Sequence, residues 1–320
     1  MYMQDLFVVT MLLSIYGLLS ASFFVAMDAV DVAFTEAAVG AGISTLLMVV
    51  VISITGRREH LARHKPYQAL FVVIVTGLLL FYGTSDMSYF GSAQAPIHNH
   101  VAPRYINDSL QEIGIPNIVT SVLASYRAFD TFGEVVVIFT AGIGVLGLLS
   151  VSKKTQSLWQ PLHRKTGMHE QHLVIRIVTK ILFPFIFLFA LYVQFHGDFG
   201  PGGGFQAGVI FAAAFILYAM VFGLEAATKV IKLPIIELIA AVGVLLYGSV
   251  GVVTLLSGGN FFDYDYLLPN PVAGQHLGII LIELGVGLTV TSVMIMISFA
   301  LSHRRKALEH TQVIKSSEEP

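Results

Sequence analysis

Four carboxylates sit within or at the mouths of long apolar stretches of this chain: Glu36 in DVAFTEAAVGAGIST, Asp130 and Glu134 in SYRAFDTFGEVVVIF, and Glu283 in GIILIELGVGLTVTS. An ionised group in bilayer hydrocarbon is costly, so such residues turn toward a protein interior and mark ion or proton routes. Glu36, Gly40 and Ser44 recur every four residues, which gives a helix one small, polar face that another helix can approach. The rival reading of Glu36 is a helix-end acid reaching the headgroups, in company with Asp28 and Asp31. Arg127, Asp130 and Glu134 also share a helix face. Asp130 suits a helix start with Arg127 as its ion-pair partner, whereas Glu134 lies a turn deeper, where a cap has no use for it. Glu283 forms a stripe with Gly287 and Thr291 and is flanked by Gly278 and Gly285, so it points into a close helix contact. Lys180, five residues into another apolar stretch, is either a further ion-route group or a side chain snorkelling to the membrane surface. Glu237, three residues after Pro234, reads as a helix-start acid.

Between two apolar stretches lies HGDFGPGGGF, His196 to Phe205, where Pro201 is followed by Gly202, Gly203, Gly204 and Phe205. Irregular backbone is tolerated at membrane depth only when it is packed in protein or lines a watery cavity. A glycine-rich nest could hold an anion, but the GK[ST] ending of a phosphate-binding loop is missing. A tight re-entry into the next span is the better reading. His98 and His100 form an H-x-H pair and His196 stands alone, which is too little for a metal site. No cofactor motif, nucleophilic triad or metal-ligand spacing occurs, so an enzyme reading has no support.

The elements that must position these groups follow from composition. Of 320 residues, 55% are hydrophobic and 12% charged, about half the charged share of a soluble domain. The mean hydropathy of +0.78 is that of an integral membrane protein. A spanning helix needs about 20 mostly apolar residues, and eight stretches meet this: 6–27, 32–54, 68–85, 129–151, 175–195, 205–223, 234–256 and 277–301. Sixteen of the 18 Lys and Arg residues fall on one side of that arrangement, with Arg104 and Arg127 on the other. The expected fold is therefore an all-α polytopic bundle with both termini cytoplasmic. Pro184 should kink the fifth span. No Lys or Arg precedes the first apolar run, as a secretory signal would require, so that run is expected to be a retained span. Within the long connection 86–128, INDSLQEIG at 106–114 should form a short amphipathic helix. There are no cysteines, and a net charge of −2 offers nothing to nucleic acid.

Three segments together resemble one family. FGPGGGFQAGVI, with the spans after it, resembles the B-type subunit of Mrp-type (Mnh) sodium/proton antiporters. AVDVAFTEAAVGAGIST and RAFDTFGEVVVIFTAGIGVLGLL resemble consecutive segments near the carboxy end of the large A-type subunit of the same antiporters, segments shared with membrane-bound hydrogenases. Ala128 stands where a glycine is customary. The resemblance implies an A-type segment at 1–62, a second at 63–152, a B-type domain at 165–308 and a disordered tail at 309–320. It implies no cofactor, and a multi-pass component of a hetero-oligomeric complex in a prokaryotic inner membrane. Its partners would be the lipid bilayer, other antiporter subunits, sodium ions and protons. Glu36, Asp130 and Glu134 would map to the polar ion route. Two alternatives stay open: a membrane-arm component of a hydrogenase or related redox complex, and a scaffold whose acids only hold helices together. The spans contain too few charges for a complete route, so partners must supply the rest.

Overall fold

The computed structural model describes residues 4–59, 66–89, 91–149 and 173–318. The polar stretch 152–172 and the expected boundaries at 62–63, 152 and 165 lie outside these residues. Among the described residues the chain is helical, with only an isolated bridge between Asp5 and Arg58. Eight helices are long and apolar enough to cross a membrane: α1 (Leu6–Ala26), α2 (Val30–Thr55), α3 (Tyr67–Ser85), α4 (Ala128–Leu149), α5 (Leu173–His196), α6 (Gly204–Phe222), α7 (Leu233–Leu256) and α8, which opens at Pro271. These match the eight apolar stretches read from the sequence to within a few residues at most ends.

Local chemistry sets the helix ends. The Asp5 carboxylate accepts from the Phe7 and Val8 amides at the start of α1 and pairs with Arg57 at 2.8 Å, which fastens the end of α2 beside it. The Arg57 guanidinium holds the Asp5 carboxyl below its usual range. Asn270 accepts from the Ala273 amide and Pro271 takes the first helical position of α8, where its missing N–H costs nothing. α8 then runs to Glu318, so residues 309–318 are helical where a disordered tail was expected. The stretch RRKALEHTQVIKSSE holds good helix formers and no Gly or Pro to stop it. The expected helix at 106–114 is split instead. Val101–Asn107 and Ser109–Glu112 meet at Asp108, whose carbonyl caps the second piece.

α8 is the hub. It packs against α4, α6 and α7, while α5 lies on α6 and α1 on α2. The glycines of α7 and α8 make this possible. A methyl at Gly243 would lie 2.7 Å from the Gly285 carbonyl, and one at Gly285 would lie 2.8 Å from the Gly243 carbonyl, so the two backbones touch. Gly251 receives the Phe261 ring and Gly287 the Gln194 amide. Each of these four glycines serves a contact inside the chain. On the side away from the chain ends, the segment from Pro96 to Tyr126 caps the bundle. There Glu112 accepts from Tyr126 and pairs with Arg104 at 3.1 Å.

Candidate functional site

The PGGG run and Glu283 are parts of one site. α5 ends at His196, and the chain must reverse within Gly197–Gly203 to enter α6. Gly203 adopts φ +106°, a conformation that side chains with a Cβ avoid, and its amide donates to Val193 O at 3.0 Å. A methyl on Gly203 would lie 3.0 Å from Glu283 Oε1, and one on Gly197 would lie 2.9 Å from Gly203 Cα. Gly204 rests directly on the α8 backbone at the Glu283 carbonyl. Glycine is thus used for close approach: the loop lies flat on α8 and roofs the Glu283 carboxylate.

Asn117 ties this loop to the amino-terminal half. Its side-chain amide donates to Gly197 O (3.1 Å), Gly200 O (3.0 Å) and Asp31 Oδ2 (3.3 Å), while its backbone amide donates to Asp198 O at 3.1 Å. Thr120 adds a 2.6 Å bond to Gly197 O. Asp31, near the start of α2, also accepts from the Gly202 amide at 3.4 Å, and one turn on Thr35 accepts from Gln206 Nε2 at 2.9 Å. Asp31 is therefore a loop-holding group at the bundle interior, beyond the headgroup acid expected of it.

Around this junction opens a cavity of about 360 Å³. Its acidic lining is Asp31 from α2, Glu134 from α4 and Glu283 from α8, with Thr35, Thr131 and Gln206 as neutral polar groups. Phe205, Val135 and Val286 supply apolar wall. Glu283 is half-buried, whereas Glu134 stands exposed at the open rim. Among the described residues, no three His, Cys, Asp or Glu side chains gather tightly enough to hold a metal ion.

The other expected site residues fall elsewhere. Glu36 is half-buried between α1 and α2. Its carboxylate folds over Gly40, and a methyl on Gly17 of α1 would meet Glu36 Oε1 at 3.2 Å. Here α2 widens into a π-helix over Ala37–Ile43, a local expansion common at functional sites. Arg127 and Asp130 form an exposed ion pair at 2.6 Å, away from the cavity. Lys180 is exposed near the opposite end of α5, with its ammonium 5.9 Å from the Phe222 ring centroid and Arg176 over the same ring. It does not line the cavity that holds the acids.

Asp198, beside the glycine run, was missed. It is 8% exposed and pairs through Oδ2 with His276 Nε2 at 2.8 Å. Burial pushes its carboxyl above the usual range, and the nearby His276 charge pulls it back. Asp31, Asn117, Asp198 and His276 all escaped because their partners are distant in sequence. The only local signal was the four-residue spacing of Asp31 and Thr35.

Three family profiles match along the chain: MbhD of the MBH complex over residues 1–57, MbhE of the same complex over 65–165, and "Domain related to MnhB subunit of Na+/H+ antiporter" over 174–296. A putative antiporter subunit mnhB2 of Staphylococcus aureus is 34% identical over 142 residues, covering 43% of this chain and 99% of that one. A probable K(+)/H(+) antiporter A/B subunit of Rhizobium meliloti is 26% identical over 250 residues, 70% of this chain. A chain of the Mrp complex from a Dietzia species superposes with a TM-score of 0.70 at 25% identity over 93% of this chain. This chain spans 24% of the length of the Rhizobium relative and 32% of the Dietzia one.

Proposed function

The chain belongs to the family of the MnhB subunit of Na+/H+ antiporters, and from that premise we propose that it is a membrane component of a multisubunit cation/proton antiporter. It resides in a prokaryotic cell membrane with its chain ends in the cytoplasm, and it acts as a transporter component and not as an enzyme. Its three segments, two A-type and one B-type, assemble one polar junction. The observation that carries this reading is the meeting of Asp31, Glu134 and Glu283 around one cavity beneath the PGGG loop.

The physical logic is charge balance. Carboxylates that share a low-dielectric cavity repel one another, so their charge must be offset either by a proton or by a hard cation that oxygen ligands suit. A site that accepts one or the other, but not both, couples their movements. Exchange then needs only that the site face alternate sides, with no covalent step. Glu134 stands at the exposed rim of the cavity, within the apolar helix α4. A neighbouring subunit therefore covers that rim in the complex, since bare contact with lipid would be costly for the acid.

The test is Glu283→Gln in the whole complex, with assembly followed on native gels and cation/proton exchange measured in everted membrane vesicles. An assembled variant should lose exchange by at least about a hundredfold, the scale of removing a positioned proton carrier. Wild-type exchange in that variant would refute the role given to Glu283, and an unmutated complex that moves no protons against sodium or potassium would refute the antiporter reading. A second reading, a membrane-arm component of a redox complex, is favoured by the MbhD and MbhE profiles over the first half. Co-purification of subunits bearing iron–sulfur or nickel centres would replace the antiporter reading with this one.

A further inference from the structure

Glu283 lines two cavities, and among the described residues no other is common to both. The larger is the acidic one described above. The smaller, about 190 Å³, lies between α5 and α8 on the other face of the glycine loop and is lined by Gln194, Asp198, His276 and Glu283 among apolar residues. Its volume holds several waters at ~30 Å³ each. His276 and Glu283 are seven residues apart, two helical turns on one face of α8, separated by about 10.5 Å along the axis. Asp198 shortens that gap, because it sits 2.8 Å from His276 Nε2 and borders the same cavity as Glu283. The His276 side chain is 48% exposed and that of Asp198 only 11%. The series thus runs from an exposed imidazole through a buried carboxylate to the half-buried Glu283.

We propose that His276 and Asp198 form a proton relay to Glu283, separate from the wider cavity through which the cation moves, so that the two exchanged species meet only at Glu283. The inference rests on the antiporter reading and deepens it. The chemistry of the two cavities supports the division. The wide cavity offers Asp31, Glu134 and neutral oxygens, a lining suited to a partly hydrated cation. The narrow one offers an imidazole and a carboxylate in hydrogen-bond contact, which pass a proton by exchanging roles. The titratable groups facing Asp198 and its loop are His276 and Glu283 from α8, His196 at the end of α5, and Asp31 of α2 through the Asn117 bridge.

The relay works when Asp198 can accept a proton. Burial favours its protonated form and His276 opposes that. Removing His276 leaves burial unopposed, so Asp198 holds its proton to higher pH and the acid limb of the exchange profile moves upward. In everted vesicles carrying the whole complex, His276→Gln should move the acid limb to higher pH without changing the half-saturating sodium or potassium concentration. Asp198→Asn should lower exchange at every pH, on the order of a hundredfold, again with cation half-saturation unchanged. Asp31→Asn should do the reverse, raising half-saturation with the acid limb in place. Wild-type rates in Asp198→Asn, an unmoved limb in His276→Gln, or a raised half-saturation in Asp198→Asn would each overturn the proposal. If Asp198→Asn does not assemble, the half-exposed His276→Gln decides alone by whether its limb moves. Absence of cation/proton exchange in the unmutated complex would sink the antiporter reading itself, whereas an exchanging complex whose Asp198 and His276 variants are unaffected would sink only the relay.

Discussion

α3 and α8 have similar mean hydropathy over their most apolar windows, 1.8 and 2.2, yet none of the α3 window is buried in the chain and 61% of the α8 window is. Hydropathy reports that a segment enters the membrane, not what it meets there. The glycines report the second. Methyl groups added at Gly77 and Gly83 of α3 would meet nothing within 4 Å, whereas those at Gly278, Gly285 and Gly287 of α8 would collide with neighbouring side chains or backbone. Between lipid-like surfaces the hydrophobic effect draws nothing together, so helices join where small residues let backbones approach. α8 is a packed element with a carboxylate at its heart, and α3 is a span whose whole surface awaits lipid or another subunit.

The largest effect should come from closing the tightest contact on α8. At Gly204 a new side chain would strike the Glu283 carbonyl and lie 3.0 Å from the Gly287 amide nitrogen. Backbone on both sides leaves no flexible group to yield, and overpacking of this kind costs about 1–3 kcal/mol or more. Gly204→Leu should abolish recovery of the complex on native gels. Normal assembly would mean that the α6–α8 contact opens easily and that α8 is less of a hub than its burial implies.

The same contrast governs what could be read without the fold. All eight spans were legible, because length and apolarity are local properties. The carboxylates Glu134 and Glu283 and the run Pro201–Phe205 were legible singly, because each breaks a local pattern. Their union was not. It depends on Asn117 reaching Gly197 and Asp31, and on Asp198 reaching His276, contacts across long sequence separations that no periodicity records. The π-helix over Ala37–Ile43 was equally hidden, since AAVGAGI reads as ordinary small-residue helix. Asp130 drew attention by its place in a motif and proved to be half of an exposed ion pair.

Glu134 tests the boundary between packed and unpacked regions. It lines the cavity from an exposed position on α4. Glu134→Gln should assemble normally and reduce sodium-dependent proton movement by about tenfold or more, with Glu134→Asp keeping part of it. Glu237→Gln, exposed at the start of α7, should do far less. Wild-type exchange in an assembled Glu134→Gln complex would confine the working acids to Asp31 and Glu283.

A smaller effect is expected in the cap outside the membrane. The Tyr126 hydroxyl and then Arg104 hold the Glu112 carboxyl below its ordinary range. A lowered value in the folded state means that this stabilisation is fully present above the ordinary carboxylate range and is lost as pH falls through the lowered value. Amide hydrogen exchange across Val101–Tyr126 should therefore quicken on acidification, and Glu112→Gln should quicken it at neutral pH while flattening the pH dependence.

The smallest effect belongs to α3. Gly77 lies in the interior of a helix, where alanine is favoured over glycine by up to about 1 kcal/mol, and an added methyl meets open space within the chain. Gly77→Ala should leave both complex yield and exchange unchanged, since the propensity gain has no opposing clash. The helix would still span, because its length and hydropathy are untouched. A clear fall in complex yield would show that another subunit lies against Gly77 closely enough to feel one methyl group. That outcome would move α3 from the lipid boundary to an assembly interface, and would make its glycine the counterpart, between chains, of what Gly285 does within this one.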